Sequence, residues 1–134
     1  MSVRTAKLND IPTIKQHDYH ISAEELENSI RLGRVYVAKE QSELTGWLRY
    51  NLFWDNTPFM NLLYVLDSHR GKGVGTSLVE YWETCMKCAG YETIMTSTQS
   101  NEYAQHFYNR LGYAAVGGFL LSGDPYELIL AKKL

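Results

Sequence analysis

The sequence predicts an α/β (α+β) fold of three layers, with about seven strands and about four helices. Three observations carry this. Short apolar runs alternate with polar turns in hairpin fashion. In the middle of the chain, an apolar run hands over to an amphipathic helix through a glycine-rich turn, and a second strand–turn–helix unit follows. The 134 residues suit one hydrophobic core, and no repeat, low-complexity tract or linker divides them. Residues 1–134 therefore read as a single domain.

The elements follow in order. Val3 to Lys7 is a first strand, and Asn9 or Asp10 is expected to cap a helix that tolerates Pro12 in its first turn. Ser22-Ala23-Glu24-Glu25 fits a capping box, with Leu26, Ile30 and Leu32 as the apolar face and Gly33 as a left-handed stop. Val35–Ala38 and Leu44–Phe53 form a hairpin about Gln41-Ser42-Glu43. After the turn Asp55-Asn56-Thr57-Pro58, Phe59 to Leu66 has the look of a strand buried on both faces. Gly73 to Ala89 is the strongest helix, with Val74, Leu78, Tyr81, Trp82, Cys85 and Ala89 on one stripe and Gly90 as its stop. Thr93–Thr98 is a strand, and Asn101–Leu111 is a helix ended by Gly112. Tyr113–Leu121 and Tyr126–Ala131 close the chain as a hairpin about Ser122-Gly123-Asp124-Pro125.

Composition excludes several function classes. A net charge of −2 argues against a general nucleic-acid binder, which needs a basic face. No segment reaches the roughly 18 unbroken apolar residues of a membrane span, and residues 1–7 have no apolar signal core. Two cysteines, Cys85 and Cys88, are too few for a disulfide framework, and a cytoplasmic location is expected. Their C-x-x-C spacing falls near a helix end without further ligands, so neither a redox motif nor a metal site is expected.

The most informative stretch is Arg70-Gly71-Lys72-Gly73-Val74-Gly75-Thr76, where a strand enters the best helix. Alternating glycines permit positive φ and close backbone approach. The unpaired amides and the dipole of the helix N-terminus favour a phosphate or pyrophosphate, to which Arg70 and Lys72 add charge. The run fits neither the Walker pattern, which needs Gly-Lys-Ser/Thr, nor G-x-G-x-x-G, whose third glycine is replaced by Thr76. An ordinary tight connection that binds nothing is the alternative.

Tyr64-Val65-Leu66-Asp67-Ser68-His69-Arg70-Gly71-Lys72-Gly73-Val74-Gly75 resembles the acetyl-CoA motif of the GNAT N-acetyltransferases, Arg/Gln-x-x-Gly-x-Gly/Ala at the end of a strand. Asn101 to Tyr113 resembles a second segment of that family, N-x-x-A-x-x-F-Y-x-x-x-G-F. Asn101, Ala104, Tyr108 and Gly112 keep its spacing, and Tyr113 stands for the commoner Phe. The order of elements also agrees. The resemblance implies a mixed, mostly antiparallel sheet in which two strands splay to form an acyl-CoA cleft.

It also implies roles. Arg70, Gly71, Lys72, Gly73, Val74, Gly75 and Thr76 would hold the CoA pyrophosphate. The Val65 amide would hold the thioester oxygen, Leu63 and Asn101 the pantetheine arm, and Tyr108 would protonate the departing thiolate. Each has a plainer reading: Leu63 and Val65 as core, Asn101 as an N-cap, Tyr108 as a packed aromatic two helical turns beyond Asn101 on the same face. A phenol near pKa ~10 gives a proton to a thiolate of conjugate pKa ~8.5 only when positioned or shifted.

No base can be carried over. Phe59–Val65 and Ile94–Thr98 contain no carboxylate, which leaves a water relay, an amine of low pKa, Asp55, His17 or His20. Tyr19, Tyr36, Trp47, Tyr50, Phe53 and Trp54, with Glu24, Glu25 and Asp55, either form a wall for a cationic amine or alternate into the core. The resemblance thus implies an acetyl-CoA-dependent N-acetyltransferase acting in a ternary complex on a primary amine, with no metal. A small-molecule acceptor is favoured because the chain is close to the bare family core; a peptide or protein amine is the alternative. A non-catalytic acetyl-CoA sensor is the rival outside enzymology. A monomer or homodimer is expected, with Phe119, Leu120 and Leu121 as a candidate interface.

Overall fold

A computed structural model describes residues 1–134. Seven strands form one mixed sheet in the order β1-β2-β3-β4-β5-β7-β6, and four helices accompany it. The strands are β1 (Ser2–Thr5), β2 (Val35–Glu40), β3 (Glu43–Phe53), β4 (Thr57–Val65), β5 (Thr93–Gln99), β6 (Ala114–Phe119) and β7 (Glu127–Lys133). The helices are α1 (Ile11–Lys15), α2 (Ala23–Arg31), α3 (Val74–Cys88) and α4 (Ala104–Arg110). The chain divides into two compact units: residues 1–51 with 62–82, and residues 52–61 with 83–134.

In the first unit, β1 pairs antiparallel with β2 and β2 with β3, Val37 facing Trp47. One face of these strands is a core of Val35, Val37 and Trp47 packed on Ile14 of α1 and on Leu26 and Ile30 of α2, with Leu62, Tyr64 and Leu66 against it. Strand neighbours face opposite ways, so Gly46, next to Trp47, faces the other side. A Cβ there would meet the Tyr64 carbonyl at 2.7 Å and the Val74 and Leu78 side chains at 3.1 and 3.3 Å. The start of α3 therefore packs on the face opposite α1 and α2, and Gly46 is what lets it approach. Each fully buried side chain of this kind contributes about 1.5–3 kcal/mol.

The Ser22 hydroxyl accepts the Glu25 amide at 3.1 Å, as a cap should. Gly33 (φ +73°) ends α2 in the left-handed region. Leu32 departs from expectation: it follows the last helical residue, leaves the apolar stripe and is 62 % exposed. The helix after β1 also differs. Leu8–Asp10 forms a 3₁₀ turn, and the Asp10 carboxylate turns back to accept the Lys7 amide and the Arg4 guanidinium, so α1 starts without a side-chain cap. Along α3, Val79 and Met86 join the buried stripe whereas Ala89 is exposed beyond the helix end.

In the second unit, β5 pairs antiparallel with β7 along its length, and β7 with β6. β4 pairs parallel with β5 at Phe59–Met95 and Met60–Thr96. The end of β4, from Leu62 to Val65, is half-buried instead of buried on both faces. β6 is the outer edge, and all six of its residues are exposed, as are Leu120 and Leu121 beyond it. The β3–β4 turn places two non-glycine residues, Trp54 (φ +54°) and Asp55 (φ +65°), in the left-handed region that tight hairpins demand.

Candidate functional site

The first unit carries the end of β4 and the turn that follows it. The Leu66 amide donates to the Thr45 carbonyl of β3 at 2.9 Å. Peptide groups alternate sides along an extended strand, so those of Val65 and Leu63 point away from β3. The Val65 carbonyl bears this out by accepting Arg70 Nε at 3.0 Å. The same guanidinium pairs with Asp67 at 2.9 Å and lies over the Tyr64 ring, 5.7 Å from its centre. Arg70 is thus tied back to the strand end.

Gly71 (φ +75°) and Gly73 (φ +83°) hold the conformation that only glycine adopts without strain, and open space surrounds both. Gly75 instead lies inside α3. The first α3 bond runs from the Ser77 amide to the Gly73 carbonyl at 3.0 Å. The amides of Val74, Gly75 and Thr76 therefore precede the ladder and end the helix as unpaired donors. Val74 offers only its backbone, since its side chain is buried. Lys72 is exposed beside this end.

Behind β4 lies an aromatic group. Trp47 stacks on Tyr64 at 5.0 Å between centres, and His17 sits 5.5 Å from Tyr64 and 5.9 Å from Trp47. The Tyr64 hydroxyl is 3.4 Å from His17 Nδ1. Next to His17, Asp18 is buried and accepts Arg49 Nε at 2.7 Å. His20 is exposed, and its amide donates to Asp18.

The second unit carries Tyr108 on α4, 7 % exposed and edge-on to Tyr113. Burial pushes its phenol up to about 12, with the neighbouring Thr96 hydroxyl acting against the rise and the Glu102 charge adding to it. Thr96, buried on β5, donates to the Met60 carbonyl at 3.0 Å across the parallel pairing with β4. Asn101 lies in a turn, with Tyr103 at the N-cap position of α4, so it is neither a cap nor in helical phase with Tyr108. That turn is held by Gln105 Nε2, which donates to the carbonyls of Ser100 and Glu102. Tyr113 donates to Glu83 at 2.8 Å, and Lys132 pairs with the same carboxylate at 3.0 Å. Burial, then that acidic partner, raises the Tyr113 phenol.

Of the aromatics considered for an acceptor wall, Tyr36, Trp47 and Tyr50 are core, whereas Tyr19 and Trp54 are about four-fifths exposed. Asp55 sits in the hairpin turn. Cys85 is half-buried and Cys88 exposed. No cluster of three His, Cys, Asp or Glu residues has the arrangement of a metal site. Sequence reasoning missed Tyr64 and Thr96. Both stand in runs searched only for carboxylates, and a polar side chain in the middle of an apolar strand was the available signal.

The sequence matches the acetyltransferase (GNAT) family model over residues 5–113. The chain belongs to the GNAT acetyltransferase family. A GNAT acetyltransferase from Bacillus cereus is 28% identical, with a TM-score of 0.79 over 98% of this chain and 96% of that one. An aminoglycoside 6'-N-acetyltransferase complexed with coenzyme A is 22% identical, with a TM-score of 0.80 over 99% and 97% of the two chains. A ribosomal-protein-alanine N-acetyltransferase from Brucella melitensis is 19% identical, with a TM-score of 0.83 over the whole of both. No curated protein sequence matches the chain. Both motif stretches of this GNAT chain lie within the matched residues. No helix of it is long and apolar enough to cross a membrane.

Proposed function

We propose that residues 1–134 work as a single N-acetyltransferase domain that moves an acetyl group from acetyl-CoA to a primary amine by direct attack in a ternary complex. The observation that carries this is the unpaired amide end of α3, reached through Gly71 and Gly73 at positive φ and placed directly after β4. The amides of Gly71 to Thr76, with Lys72, hold the pyrophosphate. Arg70 acts on the loop from within, by fastening it to Val65.

The Val65 amide stabilises the thioester oxyanion, and Leu63 and Asn101 hold the pantetheine. Strand alternation supports the first two, because it turns both amides away from β3. Tyr108 protonates the leaving thiolate. A phenol near 12 is protonated at neutral pH, and giving its proton to a thiolate of conjugate pKa ~8.5 is uphill by about 5 kcal/mol. That lies well inside the barrier of about 16 kcal/mol that corresponds to about 10 turnovers per second.

A small-molecule amine is the favoured acceptor; the aminoglycoside enzyme of closely similar fold supports it. The ribosomal-protein enzyme supports a peptide α-amine as the second reading. Competition separates them. Acetyl-CoA is offered with spermidine, kanamycin and a peptide with a free Ala N-terminus, alone and in pairs, and products are weighed by mass spectrometry. Acetylation of a free amine undiminished by excess peptide supports the first reading; acetylation of the peptide alone replaces it with the second.

A further inference from the structure

Acetyl transfer to an amine releases a proton from nitrogen, and neither β4 nor β5 of this chain carries a carboxylate to receive it. The first unit contains a group that can. His17 is half-buried with Nδ1 at 3.4 Å from the Tyr64 hydroxyl. Tyr64 immediately precedes Val65, whose peptide points away from β3.

The surroundings hold this pair in place. Trp47 stacks on Tyr64 at 5.0 Å, which fixes the phenol ring. The residue after His17 is locked by a doubly bonded, buried ion pair with Arg49, and Lys15 Nζ donates to the carbonyls of Asp18 and Ile21. These bonds anchor the segment that carries His17.

We infer that His17 is the terminal acceptor of the amine's proton, taken through the Tyr64 hydroxyl. The inference rests on the acetyl-transfer reading above. In the tautomer protonated on Nε2, His17 presents the Nδ1 lone pair to the Tyr64 O–H. As the amine forms its bond to the thioester carbon, its proton passes to the Tyr64 oxygen while the Tyr64 proton passes to His17. The C–S bond then breaks, the sulfur takes the Tyr108 proton, and solvent discharges His17 and reprotonates Tyr108. The charged groups near the pair are already committed: Asp18 to Arg49, Lys15 to two carbonyls, and Arg70 to Val65 and Asp67 across the outer side of Tyr64. From α2 the packed residues are Leu26 and Ile30.

The test uses the purified full chain, acetyl-CoA and whichever panel amine the wild type acetylates fastest. His17→Gln is expected to lower kcat/KM by about 100-fold near neutral pH. It should leave the KM for acetyl-CoA within about twofold, so that the loss falls on kcat. Tyr64→Phe keeps the Trp47 stack, removes the hydroxyl alone, and should lower kcat/KM at least about tenfold. His20→Gln should match the wild type. His17 and Tyr64 variants within about threefold of wild type, or a His17→Gln loss that falls on the KM for acetyl-CoA instead of on kcat, would overturn the inference and leave the acetyltransferase reading intact. A wild type that acetylates no amine would overturn that reading and this step with it.

Discussion

Asp18 and Arg49 form the most deeply buried ion pair of the chain: Arg49 donates from Nε at 2.7 Å and from Nη2 at 3.0 Å, with the Asp18 side chain fully enclosed. The pair ties the segment after α1 to β3. Both charges gave up water to form it, and the matched, two-pronged geometry offsets that cost.

Cutting one partner strands the other charge. Arg49→Met is expected to destabilise the fold by about 3–5 kcal/mol, read as a lowered urea midpoint. Arg49→Lys keeps the charge but loses the fork and should lie between. Combining Arg49→Met with Asp18→Leu should recover part of the loss, since no charge is left alone.

Gly73 stands at φ +83° with nothing within 4 Å of a built Cβ. Backbone strain is therefore the cost inside the protein, about 1–2 kcal/mol for Gly73→Ala. Gly73→Leu adds a side chain where the backbone must approach a pyrophosphate. Calorimetry with desulfo-CoA should show binding weakened at least tenfold by Gly73→Leu, with the thermal transition still cooperative.

Tyr108→Phe keeps the packing against Tyr113 and removes only the hydroxyl. Turnover should fall at least tenfold and acetyl-CoA affinity should hold. The raised phenol also gives a pH signature. Tyr108 stays neutral where an ordinary tyrosine ionises near ~10, and its own titration, isolated as the wild-type minus Tyr108→Phe difference in tyrosinate absorbance, should be centred near 12. Because the folded value is the higher, its contribution to stability is complete below pH ~10 and is lost as pH rises toward 12.

The Asp10 carboxyl gives the opposite sign. Burial alone would raise it, but the Arg4 guanidinium and the Lys7 amide outweigh burial and hold it below the usual carboxylate range. Its stabilisation is thus complete above pH ~4 and is lost as pH falls further. Asp10→Asn should cost about 1–3 kcal/mol at pH 7 and flatten the acid limb of the stability–pH curve, measured by urea unfolding between pH 2 and 7.

Elements whose pattern is local were legible in the sequence. Ser22 capping α2, Gly33, Gly90 and Gly112 as helix stops, and the β2–β3 and β6–β7 hairpins depend on neighbours within a few residues. What escaped depended on partners distant in sequence. Asp10 reads as a cap until Arg4 draws it away, and Asn101 reads as a cap until the turn at 101–103 delays α4. The run from Phe59 reads as doubly buried because its residues are nearly all apolar, whereas burial is decided by partners distant in sequence, and Leu62 to Val65 are only half-buried. The Tyr64–His17 contact joins residues 47 apart, beyond any spacing rule.

The central claim is that this chain transfers acetyl groups from acetyl-CoA to amines. Its most direct test is release of the free CoA thiol, followed with a thiol reagent, when purified protein meets acetyl-CoA with and without each panel amine. Catalytic thiol release that requires one amine, with a matching acetylated product, is the predicted result. Tight acetyl-CoA binding by calorimetry with no amine-dependent release would contradict the claim and make the protein a sensor of acetyl-CoA.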